Sequence, residues 1–176
     1  MLRRLLGAQL QCAPATLQFA AGAHGKPHLG AEQASGLQFN LSHSGDQALL
    51  GCARDRELGV DIELWRSLGD EAALVRRYFS VAEQHAYAAL PAAAQTAAFF
   101  QCWTRKEAYI KAVGRGLGLP LDSFDVSLGD GVPVQLLRAS AEEGDARWSL
   151  AAVDVGPQVS AAVVLAAEQC LVLPAT

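Results

Sequence analysis

The sequence has little that would bind it to a membrane, a secretory route or a nucleic acid. Its four cysteines, Cys12, Cys52, Cys102 and Cys170, lie far apart. They form no CxxC pair and have no histidine at a zinc-site spacing, so reduced cytosolic thiols and a cytoplasmic setting are the expectation. No apolar run approaches the roughly 18 residues of a membrane helix. The opening MLRRLLGAQLQCA has two arginines before its leucines, but Gln9 and Gln11 break any apolar stretch of about 7–15 residues. A signal peptide is therefore not expected, and the segment reads as an amphipathic first helix. Lys and Arg number 14 against 18 Asp and Glu, and the net charge of −4 argues against a surface that attracts nucleic acid. The pairs Arg3 and Arg4, Arg76 and Arg77, and Arg105 and Lys106 read as solvated faces. There is no Walker loop, GxGxxG, GxSxG or HExxH pattern. The glycine cluster GRGLG, Gly114 to Gly118, follows a helical pattern and reads as its stop.

What is present is a chain of 176 residues with 51% hydrophobic content, enough to bury the core of one domain or of two small halves sharing a core. A short strand is expected over Thr16 to Phe19. Three more, Leu37 to Leu41, Gln47 to Ala53 and Leu58 to Leu64, read as a β meander. Helical signals follow: Ser80 with Glu83 three residues on has the spacing of a capping box, and a longer helix should run from about Gln95 to Val113. Strands return over Phe124 to Leu128, Val132 to Leu137, Trp148 to Val155 and Val159 to Leu165. Segregated strands, helices and strands predict an α+β fold with antiparallel sheet. GDQALLGCA and GPQVSAAVV echo one another faintly, each a turn entering an apolar strand.

Two stretches carry chemistry. In LGVDIEL, Leu58 to Leu64, alternation puts Gly59, Asp61 and Glu63 on one face and Val60, Ile62 and Leu64 on the other. Two anions side by side repel, and a cation between them removes the repulsion; hard oxygen ligands of this kind suit Mg²⁺, whose shell a substrate phosphate often completes. Alone, the stretch reads as an ordinary strand with one wet face. In WTRKEAYIK, Trp103 to Lys111, the positions Trp103, Glu107 and Lys111 share one helical stripe. With Phe99 and Phe100 next to it, that stripe is expected to face the core, where its charges need partners: a metal for Glu107 and a phosphate for Lys111. Lys26 in GKP, and Ser42, His43 and Ser44 in NLSHS, add donors suited to phosphate oxygens.

Taken in order, GKP, FNLSHSG, GVDIE, YFSVAEQ and WTRKEAYIKAVGRGLGLPLDSF resemble the 4′-phosphopantetheinyl transferases, from about Gly25 to Phe124. The resemblance is to the larger class that activates polyketide, peptide or fatty-acid synthases. It implies a pseudo-dimer of two similar α+β halves, here residues 1–68 and 69–176, with coenzyme A in the cleft between them. It implies transfer of the 4′-phosphopantetheine arm of coenzyme A to a serine of an apo carrier protein, with release of adenosine 3′,5′-bisphosphate. Asp61, Glu63 and Glu107 match the family's magnesium ligands. Lys111 matches the lysine near the transferred phosphate, Ser42 and His43 the contacts to the 3′-phosphate, and Lys26 the lysine of the nucleotide pocket. Lys106 joins the expected coenzyme A contacts, and Asp61, Glu107 and Lys111 form the catalytic set. The base is left between Glu107 and a water on the magnesium, and Glu83 is assigned to the capping box first. The carrier is expected to dock near Arg76, Arg77 or Arg105. Members of the larger class carry several dozen residues ahead of the segment that RRLLGAQL resembles, so an N-terminally short member or a truncated form is expected. Two other readings stay open: a coenzyme A-binding member without turnover, and a magnesium-dependent phosphohydrolase of the same pyrophosphate.

Overall fold

The computed structural model describes residues 1–22, 25–30, 33, 36–140 and 147–168, and leaves aside the Leu117 side chain. Cys170 lies outside these residues. Helix α1 (Leu2–Leu10) forms as expected, but the first strand is displaced: Pro14–Thr16 makes a 3-10 turn, and β1 (Phe19–Ala21) pairs with β2 (Pro27–Leu29). Leu6, Leu17, Leu29, Leu37 and Phe39 close a small core over this end of the molecule.

Strands β3 (Leu37–Ser44) and β4 (Gln47–Arg54) form a hairpin from Leu37 opposite Arg54 to Ser44 opposite Gln47. Its tight turn needs Gly45, at φ 59°, where a side chain would be strained. The expected meander stops there. β5 (Leu58–Leu64) pairs with β9 (Val159–Leu165), Leu58 opposite Leu165 and Leu64 opposite Val159, and β8 (Ser149–Ala152) pairs with the far edge of β9. β3 lies beside β5 without a main-chain ladder, joined to it by side chains. Residues 58–64 thus share a sheet with residues 149–165, across the division expected at residue 68. GDQALLGCA and GPQVSAAVV each enter the second strand of a hairpin, β4 and β9.

Helices α2 (Glu71–Tyr78), α3 (Val81–Ala88) and α4 (Ala92–Val113) follow. The Asp70 carboxylate accepts from Ala73 N–H and starts α2, an element the sequence reading passed over. The capping box of Ser80 and Glu83 forms in both directions. α4 ends at Gly114, at φ 78°, as the glycine run suggests. β6 (Asp125–Val126) and β7 (Leu136–Arg138) are shorter than expected because side chains take over their ladder. Glu83 Oε1 accepts from Val126 N–H, and Ser127 Oγ accepts from Gln135 N–H. β8 likewise covers only the earlier part of the strand expected over Trp148 to Val155.

The fold is α+β with small antiparallel sheets, and β5 is its centre. Leu58 and Val60 face β4, where Gly51 leaves room: a Cβ there would lie 2.6 Å from Val60 Cγ1. On the other face Gly59 lets α4 lie directly on the strand, since a Cβ would stand 2.1 Å from Ala108 O and 2.3 Å from Ala112 N. Both faces of β5 are therefore covered, and Asp61 is only 4% exposed. That removes the reading of Asp61 as the wet side of an ordinary strand. The main core packs Phe79 on Phe99 at 5.5 Å and Phe99 on Trp103 at 5.9 Å, both stacked. No helix among the described residues is long and apolar enough to cross a membrane.

Candidate active site

Because Gly59 brings α4 onto the face of β5 that carries Asp61 and Glu63, Lys111 in the last turn of α4 reaches Asp61. Lys111 Nζ donates to Asp61 Oδ1 at 2.6 Å and to Ser42 Oγ at 3.1 Å. Ser42 Oγ in turn donates to the same Asp61 oxygen at 2.7 Å. Asp61 Oδ2 is buried and has no hydrogen-bond partner among the described residues. Glu63 Oε2 accepts from Ser44 Oγ at 2.8 Å and from Arg66 Nη1 at 2.9 Å. Glu107 stands one turn before Lys111, and both line a cleft of about 290 Å³ with Lys26, Asn40, Leu41 and Gly114.

The electrostatics tie the three carboxylates together. Burial pushes Asp61 above the ordinary carboxylate range; Lys111 and Ser42 pull it back in part, and the charge of Glu63 adds to the rise. Burial also raises Glu107, with Asp61 and then Glu63 adding repulsion and Lys111 opposing it. The anions thus sense one another across strand and helix, and a positive charge among them relieves all three. Lys111 supplies one such charge. Among the described residues no three His, Cys, Asp or Glu side chains stand gathered as a ready metal cluster, and the Lys111 ammonium holds the place beside Asp61. The donor set nevertheless fits a hard divalent cation: a buried carboxylate oxygen without a partner is costly, and an oxygen-seeking ion satisfies it.

The stripe of Trp103, Glu107 and Lys111 divides: Trp103 packs against the main core on Phe99 and Tyr78, while Glu107 and Lys111, half-buried, line the cleft. Cys102, Arg105, Lys106, Tyr109 and Ala112 are buried. The basic pair read as a solvated face is therefore inside. Lys106 is wholly buried, donating to Leu121 O at 2.6 Å and Phe124 O at 2.8 Å and pairing with Glu83 at 2.7 Å. With its three donors engaged and 0% exposure it has no access to a cofactor, which corrects the expectation placed on it. Arg105 is buried against Ser127 O, so it cannot meet a docking carrier; Arg76 and Arg77 are exposed on α2.

Ser42 and His43 do not share a direction, because neighbours on a strand face opposite ways. Ser42 points at Asp61, and its hydroxyl is engaged there. His43 is exposed at the hairpin end, near Ser44, Glu63 and Arg66. Lys26 lies along the cleft wall with its ammonium on Glu57 Oε2, Leu58 O and Ala112 O, tying the GKP segment to β5 and to the last turn of α4. Sequence reading missed Asn40, whose Oδ1 accepts from Val60 N–H at 2.8 Å and which lines the cleft. Its signal was the alternation of Asn40, Ser42 and Ser44, three short polar side chains at every second position of β3.

A family model described as the 4′-phosphopantetheinyl transferase superfamily matches residues 57–164. The chain is 36% identical over 167 residues to the 4′-phosphopantetheinyl transferase HetI of Nostoc sp., covering 94% of this chain and 68% of that protein. It is 36% identical over 129 residues to the 4′-phosphopantetheinyl transferase Sfp of Bacillus subtilis, covering 73% of this chain and 55% of that one. In fold it is similar to a holo-(acyl-carrier-protein) synthase from Bacillus anthracis solved in complex with CoA (3′,5′-ADP). The TM-score there is 0.50 at 19% identity, over 62% of this chain and 93% of that one.

Proposed function

The chain belongs to the 4′-phosphopantetheinyl transferase superfamily, and on that premise we propose that it moves the 4′-phosphopantetheine arm of coenzyme A onto a serine of an apo acyl or peptidyl carrier protein. The observation that carries this reading is a cleft lined by Glu107 and Lys111, with Lys111 bonded to the buried Asp61 behind it through the contact of α4 with β5. In the reaction the serine oxygen forms a bond to the phosphorus that bears the pantetheine arm. The bond from that phosphorus to the bridging oxygen of the pyrophosphate breaks, and adenosine 3′,5′-bisphosphate leaves. Phosphoryl transfer asks for positioning and charge neutralisation more than for covalent help. Lys111 spans cleft and carboxylate, so its ammonium can follow the charge that develops on the transferred phosphate. Glu107, beside Lys111 on the cleft wall, takes the serine proton in this reading.

Asp61, Glu63 and Glu107 are the residues that would hold Mg²⁺. A bound Mg²⁺ contributes neutralisation of the diphosphate. Ser42 orients Asp61, and Lys26 shapes the cleft wall beside Gly114. We assign Arg76 and Arg77 to the approach of an acidic carrier surface. The free thiols Cys12, Cys52 and Cys102 suit a reducing cytoplasm.

The test is intact-mass spectrometry of a panel of apo carriers incubated with the protein, coenzyme A and Mg²⁺. The expected result is the gain of one phosphopantetheinyl group on a carrier, lost with EDTA. No gain on any carrier at stoichiometric protein contradicts transfer. Release of adenosine bisphosphate without a carrier would replace transfer by hydrolysis.

A further inference from the structure

Strand β3 offers β5 three polar side chains at alternate positions, all on one face. Asn40 Oδ1 accepts from Val60 N–H at 2.8 Å. Ser42 Oγ donates to Asp61 Oδ1 at 2.7 Å, and Ser44 Oγ donates to Glu63 Oε2 at 2.8 Å while accepting from Leu64 N–H at 3.1 Å. Partners rise together along the two strands, so β3 runs parallel to β5 and meets it through side chains instead of a main-chain ladder. A ladder would fix the β5 backbone and leave each carboxylate to its own rotamer. Here a hydroxyl grips each carboxylate itself.

We propose that Ser42 and Ser44 are positioning residues for a divalent cation, each holding one oxygen of its carboxylate so that the second oxygen is presented to the ion. The inference rests on the reading of Asp61 and Glu63 as cation ligands, and it takes Ser42 away from the coenzyme A phosphate. The bonds divide as such a role requires. On Asp61 both donors, Ser42 and Lys111, fall on Oδ1, and Oδ2 stays buried and without a partner. On Glu63 both Ser44 and Arg66 fall on Oε2. Two carboxylates on one strand face repel, and hydroxyl donors reduce that repulsion while blocking rotation apart. Hydrogen-bond partners behind metal ligands commonly set affinity in this way.

The experiment uses the whole chain with Mn²⁺ as probe, reading free hexaaqua Mn²⁺ by electron paramagnetic resonance, with and without coenzyme A and with no carrier. Ser42→Ala and Ser44→Ala are each expected to weaken Mn²⁺ binding by about tenfold. Ser44→Thr keeps the hydroxyl and should bind as the wild type does, which separates positioning from packing. Coenzyme A binding in EDTA should fall less than Mn²⁺ binding in Ser42→Ala. Wild-type Mn²⁺ affinity in both alanine variants overturns the positioning role while leaving the cation reading intact. Loss of coenzyme A binding in Ser42→Ala with Mn²⁺ affinity untouched returns Ser42 to the nucleotide and overturns its part. A wild type that takes up no Mn²⁺ in either condition overturns the cation reading and this inference with it.

Discussion

At the scale of single residues, the site is built from carboxylates that the fold holds at a disadvantage. Glu107 binds its proton more tightly folded than unfolded, so its contribution to stability is full below the ordinary carboxylate range and is lost as pH rises through its raised value. In EDTA, Glu107→Gln should therefore melt above the wild type at pH 7, with the gap closing as pH falls toward about 4. Thermal melts across that range check it, and a gap that widens on acidification contradicts it. The same variant should lose on the order of 10²-fold or more of transfer, since it removes the proton acceptor. Lys106 behaves oppositely. Its removal leaves Glu83 buried and unpaired, so Lys106→Met should destabilise by about 3–5 kcal/mol, and Lys106→Met with Glu83→Gln should recover part of that loss in denaturant melts. Lys106 stands beside Glu107 in sequence but some 100° away around the helix. Sequence alone could place both in one motif; it could not say which of two adjacent charges faces the cleft.

At the scale of elements, one contact positions the whole site: α4 lies on β5 at Gly59. Gly59→Ala would drive a methyl group into the Ala108 carbonyl, and overpacking of this kind usually costs about 1–3 kcal/mol, occasionally more. The expected outcome is a lowered melting temperature together with a larger loss of transfer than of coenzyme A binding, because the shift separates Lys111 and Glu107 from Asp61. Unchanged melting would contradict the close approach. The strong local signals at this scale were legible in the sequence. β5 and β9 have the bounds their apolar runs suggest, the capping box starts α3, and Gly114 ends α4. The weak elements were not legible. α2 begins on a lone Asp70, and β6 and β7 exchange ladder bonds for side chains that no local pattern announces.

At the scale of the molecule, the pairing of β5 with β9 was the part the sequence concealed. Residues 58–64 read naturally as the third strand of a local meander; their partner comes about a hundred residues later, and strand pairing at that separation leaves no trace in periodicity. The ordered motifs did reveal the family and the fold class, and of the residues they named, Lys26, Glu107 and Lys111 line the cleft. Their physical roles came only from burial and hydrogen bonding, which set Glu107 and Lys111 on the cleft, kept Trp103 on the core and sent Arg105 and Lys106 inward. The account as a whole claims that Asp61, Glu63 and Glu107, brought together by one helix on one strand, hold a divalent ion beside a diphosphate. The most direct measurement is an anomalous difference map from crystals grown with coenzyme A and Mn²⁺. The account requires a manganese peak within ligand distance of Asp61 Oδ2 and of Glu107, against the pyrophosphate, with Lys111 drawn toward phosphate. A peak bound elsewhere, or a bound coenzyme A whose pyrophosphate lies away from these carboxylates, contradicts it.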